Sequence, residues 1–176
     1  MQLRDWIFGL FGARAQTAEG QPRHRGQATH VIILDGTASS LKDGCETHAG
    51  MTYKLLNEVG HQANLTVHYE AGIQWRDWRG TWDVMTGKGI NKQIERAYGV
   101  LASRYRLGDK IVLIGYSRGA YAVRSLAGVI EIVGLVKNDF ATVRTIRTAY
   151  RHYRTGGRSK FAERFRAEHC HPRAET

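Results

Sequence analysis

Residues 110–133 admit few folds. Lys110-Ile111-Val112-Leu113-Ile114-Gly115 is a short, continuous apolar run of the kind that suits a strand buried on both faces. Residues 119–133, Gly-Ala-Tyr-Ala-Val-Arg-Ser-Leu-Ala-Gly-Val-Ile-Glu-Ile-Val, continue as an apolar helix. Between them stand only Tyr116, Ser117 and Arg118, so the chain passes from strand to helix within one tight turn. A glycine lies two residues before Ser117 and another two residues after it. A buried strand feeding directly into a packed helix is a component of a mostly parallel sheet with helices on its faces, an α/β fold.

Other segments have the same alternation. His30-Val31-Ile32-Ile33-Leu34 reads as a buried, β-branched strand ending in the turn Asp35-Gly36-Thr37. Met51, Leu55, Leu56 and Val59 recur at helical spacing over 47–59, with Gly60 placed for a left-handed C-cap. Leu65 to Tyr69 reads as the next strand. Ile90, Ile94, Ala97, Tyr98, Leu101, Ala102 and Tyr105 then make a long helical stripe, with Asn91 as its expected cap and Gly108 as its terminator. Residues 72–89 have little pattern but carry Trp75, Trp78 and Trp82 among glycines. Such a loop either lines a binding site or pins itself to the core, and the sequence leaves both readings open.

The 176 residues suffice for one domain that buries roughly 70% of the surface its unfolded chain exposes. The reading divides them into residues 1–28, an amphipathic segment over 2–12 with a flexible lead-in, and a domain over 29–176. Residues 2–12 only loosely resemble a secretory signal, because Asp5 is out of place and the apolar part is short, so a helix docking on the domain or a membrane surface fits better. No apolar run approaches the roughly 18 residues that would span a bilayer. Cys45 and Cys170, the two cysteines, form no CxxC motif or disulfide framework, which points to a reducing compartment.

The turn at Ser117 has a chemical rationale. A serine hydroxyl is a weak nucleophile at neutral pH, so a hydrolase must expose it, set it against a base and stabilise the oxyanion its attack creates. A sharp strand-to-helix turn exposes the hydroxyl, provided that neighbours without bulk, here Gly115 and Gly119, let the backbone close. The turn also aims helix-start N–H groups at a substrate oxygen, with Arg118 as the first expected donor and Gly36 or Thr37 as the second.

Leu34-Asp35-Gly36-Thr37, the run Ile90 to Tyr98 and the stretch Gly115-Tyr116-Ser117-Arg118-Gly119-Ala120-Tyr121 through Gly128 together resemble one family. It is the uncharacterised α/β-hydrolase domain family that includes type VI secretion system phospholipase effectors, and the resemblance runs from about Thr29 to the C-terminus. It implies a partial α/β-hydrolase-like fold, with the nucleophile elbow between strand 110–115 and helix 119–133. It also implies a Ser-Asp-His triad acting on carboxylic esters, phospholipids in the effector branch. In such proteins the acid follows a later strand in a Trp-Asp-Thr-type motif and the histidine comes later still. The triad partners of Ser117 are therefore expected beyond residue 176, and the chain alone is expected to be weak or inactive. Downstream of Ser117 the one aspartate is Asp139 and the histidines are His152, His169 and His171, none in a context that sets it beside the serine.

The formal net charge is +10, with much of the excess after residue 140. Arg144, Arg147, Arg151 and Arg154 recur at spacings of three and four along one stripe of a helix, either a solvated face or a surface that meets phosphate. No RNP, zinc-finger or helix-turn-helix pattern supports nucleic acid, so an anionic membrane surface, lipid phosphate or a protein partner is preferred. A protein partner could also cover the open sheet edge. Nothing calls for a cofactor. Zinc held by Cys45, His48, His169, Cys170 and His171 would need distant segments to converge without a paired motif. Asp35-Gly36-Thr37 lacks the second aspartate of a phospho-acceptor site, and the residues around Gly87-Lys88 do not make a P-loop. The reading carries a non-catalytic alternative, a shortened domain that binds a partner or membrane through its basic helix. It places the chain in the cytoplasm of a producing bacterium, with export requiring no signal peptide.

Overall fold

The computed structural model describes residues 26–36, 39–60, 64–72 and 88–172. The segment 2–12, Thr37 and the three tryptophans of the 72–89 loop lie outside the described residues. In chain order the elements are β1 (Thr29–Leu34), α1 (His48–Gly60), β2 (Leu65–Glu70), α2 (Lys88–Arg104), β3 (Lys110–Gly115) and α3 (Arg118–Val133), then a 3₁₀ turn (Asn138–Phe140), α4 (Val143–Arg154) and α5 (Lys160–His169). The fold is thus partial α/β: among the described residues, a three-stranded parallel sheet flanked by five helices.

The strands lie in the order β2-β1-β3, with Thr29 opposite Leu65 on one side and Lys110 on the other. Central β1 is buried along its whole length, which explains its unbroken apolar run. Alternate side chains serve opposite faces. Val31 and Ile33 pack with Val67, Tyr69, Val112 and Ile114 against Ala49 and Leu56 of α1. Ile32 and Leu34 join Ile111 and Leu113 in the larger core, under Tyr98 and Leu101 of α2 and Leu126 and Val129 of α3.

The connection β1-α1-β2 leaves β1 toward one edge over one face. The connection β2-α2-β3 returns past β1 over the other face. The winding therefore reverses at β1 and β3, whose carboxyl ends form a topological switch point, where open α/β sheets place their ligands.

Three local expectations need correction. Gly60 is the last residue of α1 rather than a left-handed cap, and the positive φ described before β2 belongs to Asn64 (φ 48°). Asparagine tolerates that region, and its Nδ2 donates to the carbonyls of Gly26 and Gln27 at 2.8 and 3.0 Å. Asn91 does not cap α2, which begins at Lys88. Its side chain instead accepts a 2.7 Å hydrogen bond from the Tyr150 hydroxyl. The basic tail that carries His169-Cys170-His171 is largely α5, capped by Ser159 and docked through Ala162, Phe165 and buried Cys170. Lys137 N–H donates to His169 O at 2.9 Å and His171 N–H to Leu135 O at 2.8 Å, which clamp this segment onto the end of α3.

Burial lowers the pKa of His171, aided by Lys137, and that of His152, aided by Arg151. The unfolded chain then binds protons more readily than the fold. The stability these neutral imidazoles contribute is present above the unfolded value near 6.5 and is lost as pH falls through the lower folded values. Urea midpoints should therefore fall from pH 7.5 to pH 5.5, and His152→Gln with His171→Gln should flatten the trend. Packing gives a second expectation. A Cβ on Gly119 would stand 1.9 Å from the carbonyl oxygen of Leu34, so Gly119→Ala should cost about 1–3 kcal/mol or more, read as a lower urea midpoint at unchanged m.

Candidate functional site

Leu34 and Gly115 are register partners, so β1 and β3 end side by side and release Asp35-Gly36 and Tyr116-Ser117 at the same level. Tyr116 N–H donates back to Leu34 O at 3.2 Å. A Cβ on Gly36 would lie 3.1 Å from the Cβ of Ser117, which places the two turns in contact.

Ser117 has φ 53° and ψ −121°, a backbone conformation natural to glycine and strained for a residue with a side chain. The glycines around it make the turn feasible. A Cβ on Gly115 would come within 2.6 Å of Gly119 O and 2.7 Å of the Ala120 Cα, while Gly119 sits against Leu34. Ser117 is exposed, between Tyr116 and Tyr121, which are themselves 61% and 64% exposed.

α3 begins immediately after the serine. Gly119 N–H donates to Tyr116 O at 2.9 Å and Ala120 N–H to Ser117 O at 3.0 Å, while the Arg118 amide is the first of the helix. The positive end of the helix dipole therefore stands at Ser117.

Asp35 has a role that its place in the turn does not reveal. Its carboxylate is buried and accepts from Gly36 N–H at 2.7 Å, from the Tyr69 hydroxyl at 2.8 Å and from the Thr47 hydroxyl. Burial, with the Asp35 carboxylate adding to it, pushes the Tyr69 phenol up to about 12, so that phenol is a donor at neutral pH. The network joins β1, β2 and the start of α1 directly beneath the turn that faces Ser117. It also engages the Gly36 N–H in this structure.

The aspartate and the histidines downstream of Ser117 are elsewhere. Asp139 is exposed in the 3₁₀ turn, His169 stacks on Phe165 at 5.0 Å, His171 meets Tyr105 edge-on at 5.2 Å, and His152 packs on Phe165 at 5.3 Å. Among the described residues, no side chain hydrogen-bonds the Ser117 hydroxyl. A hydroxyl-imidazole-carboxylate array does exist away from Ser117: His30 contacts Thr66 Oγ1 at 2.6 Å and Asp109 Oδ2 at 3.0 Å. It lies at the amino-terminal end of the strands, where Asp109 also accepts from Ala28 N–H and Arg106 N–H, and it ties β1 to the turn before β3. Among the described residues, no group of three or more His, Cys, Asp and Glu is placed to hold a metal ion. No helix among them is long and apolar enough to cross a membrane.

The arginine stripe is borne by α4. Arg147, Arg151 and Arg154 line a cavity of about 410 Å³ with Asn91, Glu95, Tyr150 and Thr155, whereas Arg144 is not among its lining residues.

With this geometry in view, the relatives are informative. A family model described as T6SS, phospholipase effector Tle1-like, catalytic domain matches residues 28–175. The chain belongs to that family. The matched residues include the three strands, the Ser117 turn and the five helices of the described residues. Among curated proteins, the uncharacterized protein YEL023C of Saccharomyces cerevisiae is 30% identical over 121 residues, a match covering 60% of this chain and 18% of that protein. The chain thus corresponds to less than a fifth of that relative's length. No solved structure matches the chain.

Strain at Ser117 has a measurable consequence. Ser117→Gly should raise stability by about 1 kcal/mol through relief of the positive φ, while Ser117→Ala, which keeps a Cβ, should gain nothing. Urea unfolding of the two variants beside the parent checks this. Equal midpoints for glycine and alanine would refute strain at the turn.

Proposed function

We propose that this family member is a serine hydrolase domain for carboxylic esters of phospholipid type, with Ser117 as nucleophile. The observation that carries the reading is the exposed serine held at a positive φ at the switch point of the sheet, with Gly36, Gly115 and Gly119 packed around it. A strained turn of this kind is retained where the strain serves a purpose. The family's phospholipase effectors support a lipid substrate class, and the exposed rings of Tyr116 and Tyr121 would give an acyl chain apolar surface beside the serine.

On this reading Ser117 Oγ attacks the ester carbonyl, and the negative charge that forms on the carbonyl oxygen meets the Arg118 N–H and the start of α3. A second amide comes from the Gly36-Thr37 turn. For Gly36 to serve, its N–H must exchange the Asp35 carboxylate for the substrate oxygen. On this reading the general base and its orienting acid lie outside the described residues, since Asp139, His152, His169 and His171 are exposed or packed elsewhere.

A serine-reactive fluorophosphonate with intact-mass detection tests the assignment. The expected result is a single slow adduct on the parent chain and none on Ser117→Ala, since oxyanion stabilisation alone leaves residual reactivity when triad members are missing. An unlabelled, folded parent, or equal labelling of both chains, would overturn it. The first of these results would favour a non-catalytic domain that binds through its basic helix, the reading suggested by a Ser117 hydroxyl with no described hydrogen-bond partner.

A further inference from the structure

We propose that the cavity between the first turns of α2 and the carboxyl-terminal half of α4 is a phosphate-binding subsite. As the headgroup subsite of the ester substrate, this role rests on the proposed function above. Binding of the phosphate itself does not require Ser117.

The argument starts from where α4 lies. Ile146 meets Gly99, Arg147 stands 3.9 Å from Glu95, and Tyr150 reaches Asn91, so α4 runs antiparallel to α2 and brings Arg151 and Arg154 toward the beginning of α2. The beginning of α2 follows β2 and is at the same end of the sheet as Ser117. Burial raises the Tyr150 phenol, with Arg154 opposing and Tyr121, Tyr153 and Glu95 adding to the rise. The cavity and the exposed serine thus lie toward the same end of the sheet, with Tyr153 of α4 seated on Gly128 of α3.

Helical geometry explains which arginines enter. At 100° per residue, Arg154, Arg147, Arg151 and Arg144 stand about 40°, 60°, 100° and 120° round the helix from buried Tyr150. The first three line the cavity and the last does not. Arg147 shares its charge with Glu95, but among the described residues no carboxylate lies within 4.0 Å of Arg151 or Arg154. Two guanidinium groups are thus left to meet an anion, and their planar forks suit phosphate oxygens.

The remaining wall has matching chemistry. The Tyr150 hydroxyl donates to Asn91 Oδ1, which leaves the Asn91 Nδ2 amide as a donor. The positive end of the α2 dipole adds to the potential there. At about 410 Å³ the cavity falls in the range of small-molecule sites and is larger than a phosphate alone needs, which favours a phosphate carried on a glycerol ester. By contrast, the cavity of about 330 Å³ at the opposite end of the sheet has polar groups that already bond one another, His30 to Thr66 and Asp109 and Asn64 to the backbone.

The test is calorimetric titration of the whole chain at low ionic strength with dihexanoyl phosphatidate below its micellar concentration, dihexanoylglycerol and inorganic phosphate. The phosphatidate should bind roughly 10-fold or more tighter than the phosphate-free lipid, as charge-assisted hydrogen bonds allow. Arg151→Ala with Arg154→Ala should erase that preference. The corresponding lysine pair should keep part of it, since charge persists without the fork. Both arginines are exposed, and circular dichroism of each variant checks that the fold is kept. Equal affinity for the two lipids, or an unchanged preference in the alanine pair, would overturn the subsite. Inorganic phosphate binding as tightly as phosphatidate would overturn the lipid assignment. The same titrations on Ser117→Ala separate the two proposals. Arginine-dependent preference there, beside a parent that resists the fluorophosphonate, would sink the nucleophile and leave the subsite standing.

Discussion

The rest of the structure depends on the approach of α3 to the end of β1. The Gly119 backbone lies so close to Leu34 that a single methyl group would overlap the carbonyl oxygen, and Gly115 is closed in by Gly119, Ala120 and Val123. This contact brings α3 down onto the central strand, so that Leu126, Val129 and Val133 reach the larger core. It also forces the strand-to-helix reversal into so few residues that Ser117 must take a positive φ. Packing and exposure of the hydroxyl therefore have one cause. Bulk at either glycine would widen the turn, relax the serine and lift the helix from the sheet together.

Beneath that turn, the Asp35 network does for the β1 end what the glycines do for the β3 end. A buried carboxylate is costly unless it is well hydrogen-bonded, and Asp35 is satisfied by an amide and two hydroxyls from three segments. Gly36 is thereby held against Ser117 with its N–H turned down to the carboxylate. Any use of that amide toward a substrate requires the turn to rearrange, whereas the first amide of α3 is fixed by the helix itself. The two sides of the candidate oxyanion site thus differ in stiffness.

The legible parts of the fold were those governed by local period and by glycine. β1, β3 and α3 follow from apolar runs and from the two glycines that flank Ser117, and the family likeness rests on those same residues. What escaped the sequence depended on distant partners. Asp35 finds Thr47 and Tyr69 at separations of 12 and 34 residues, and Asn91, which has the chemistry of a cap, is claimed by Tyr150 at a separation of 59. α5 was harder to see because its apolar signal is small: Ala162 and Phe165 are buried while Phe161 is 80% exposed. Its readable cue was Ser159, whose hydroxyl accepts from Ala162 N–H, and arginines around it masked the pattern.

The arginines of α4 show how a spacing acquires meaning only when the opposite surface is known. Four basic residues on one stripe are compatible with a solvated face, and Arg144 is such a residue. The other three differ because Tyr150 is buried against α2 and because Gly99 and Gly128 let Ile146 and Tyr153 seat closely, which fixes the rotation of α4 about its axis. That rotation carries Arg147, Arg151 and Arg154 into a recess with Asn91, and the antiparallel run of α4 along α2 sets the recess at the end of the sheet where Ser117 emerges. A helix of the same composition, turned by a third of a turn, would present the same charge to bulk water. The gathering of positive charge in that recess therefore follows from small residues on two neighbouring helices as much as from the arginines themselves.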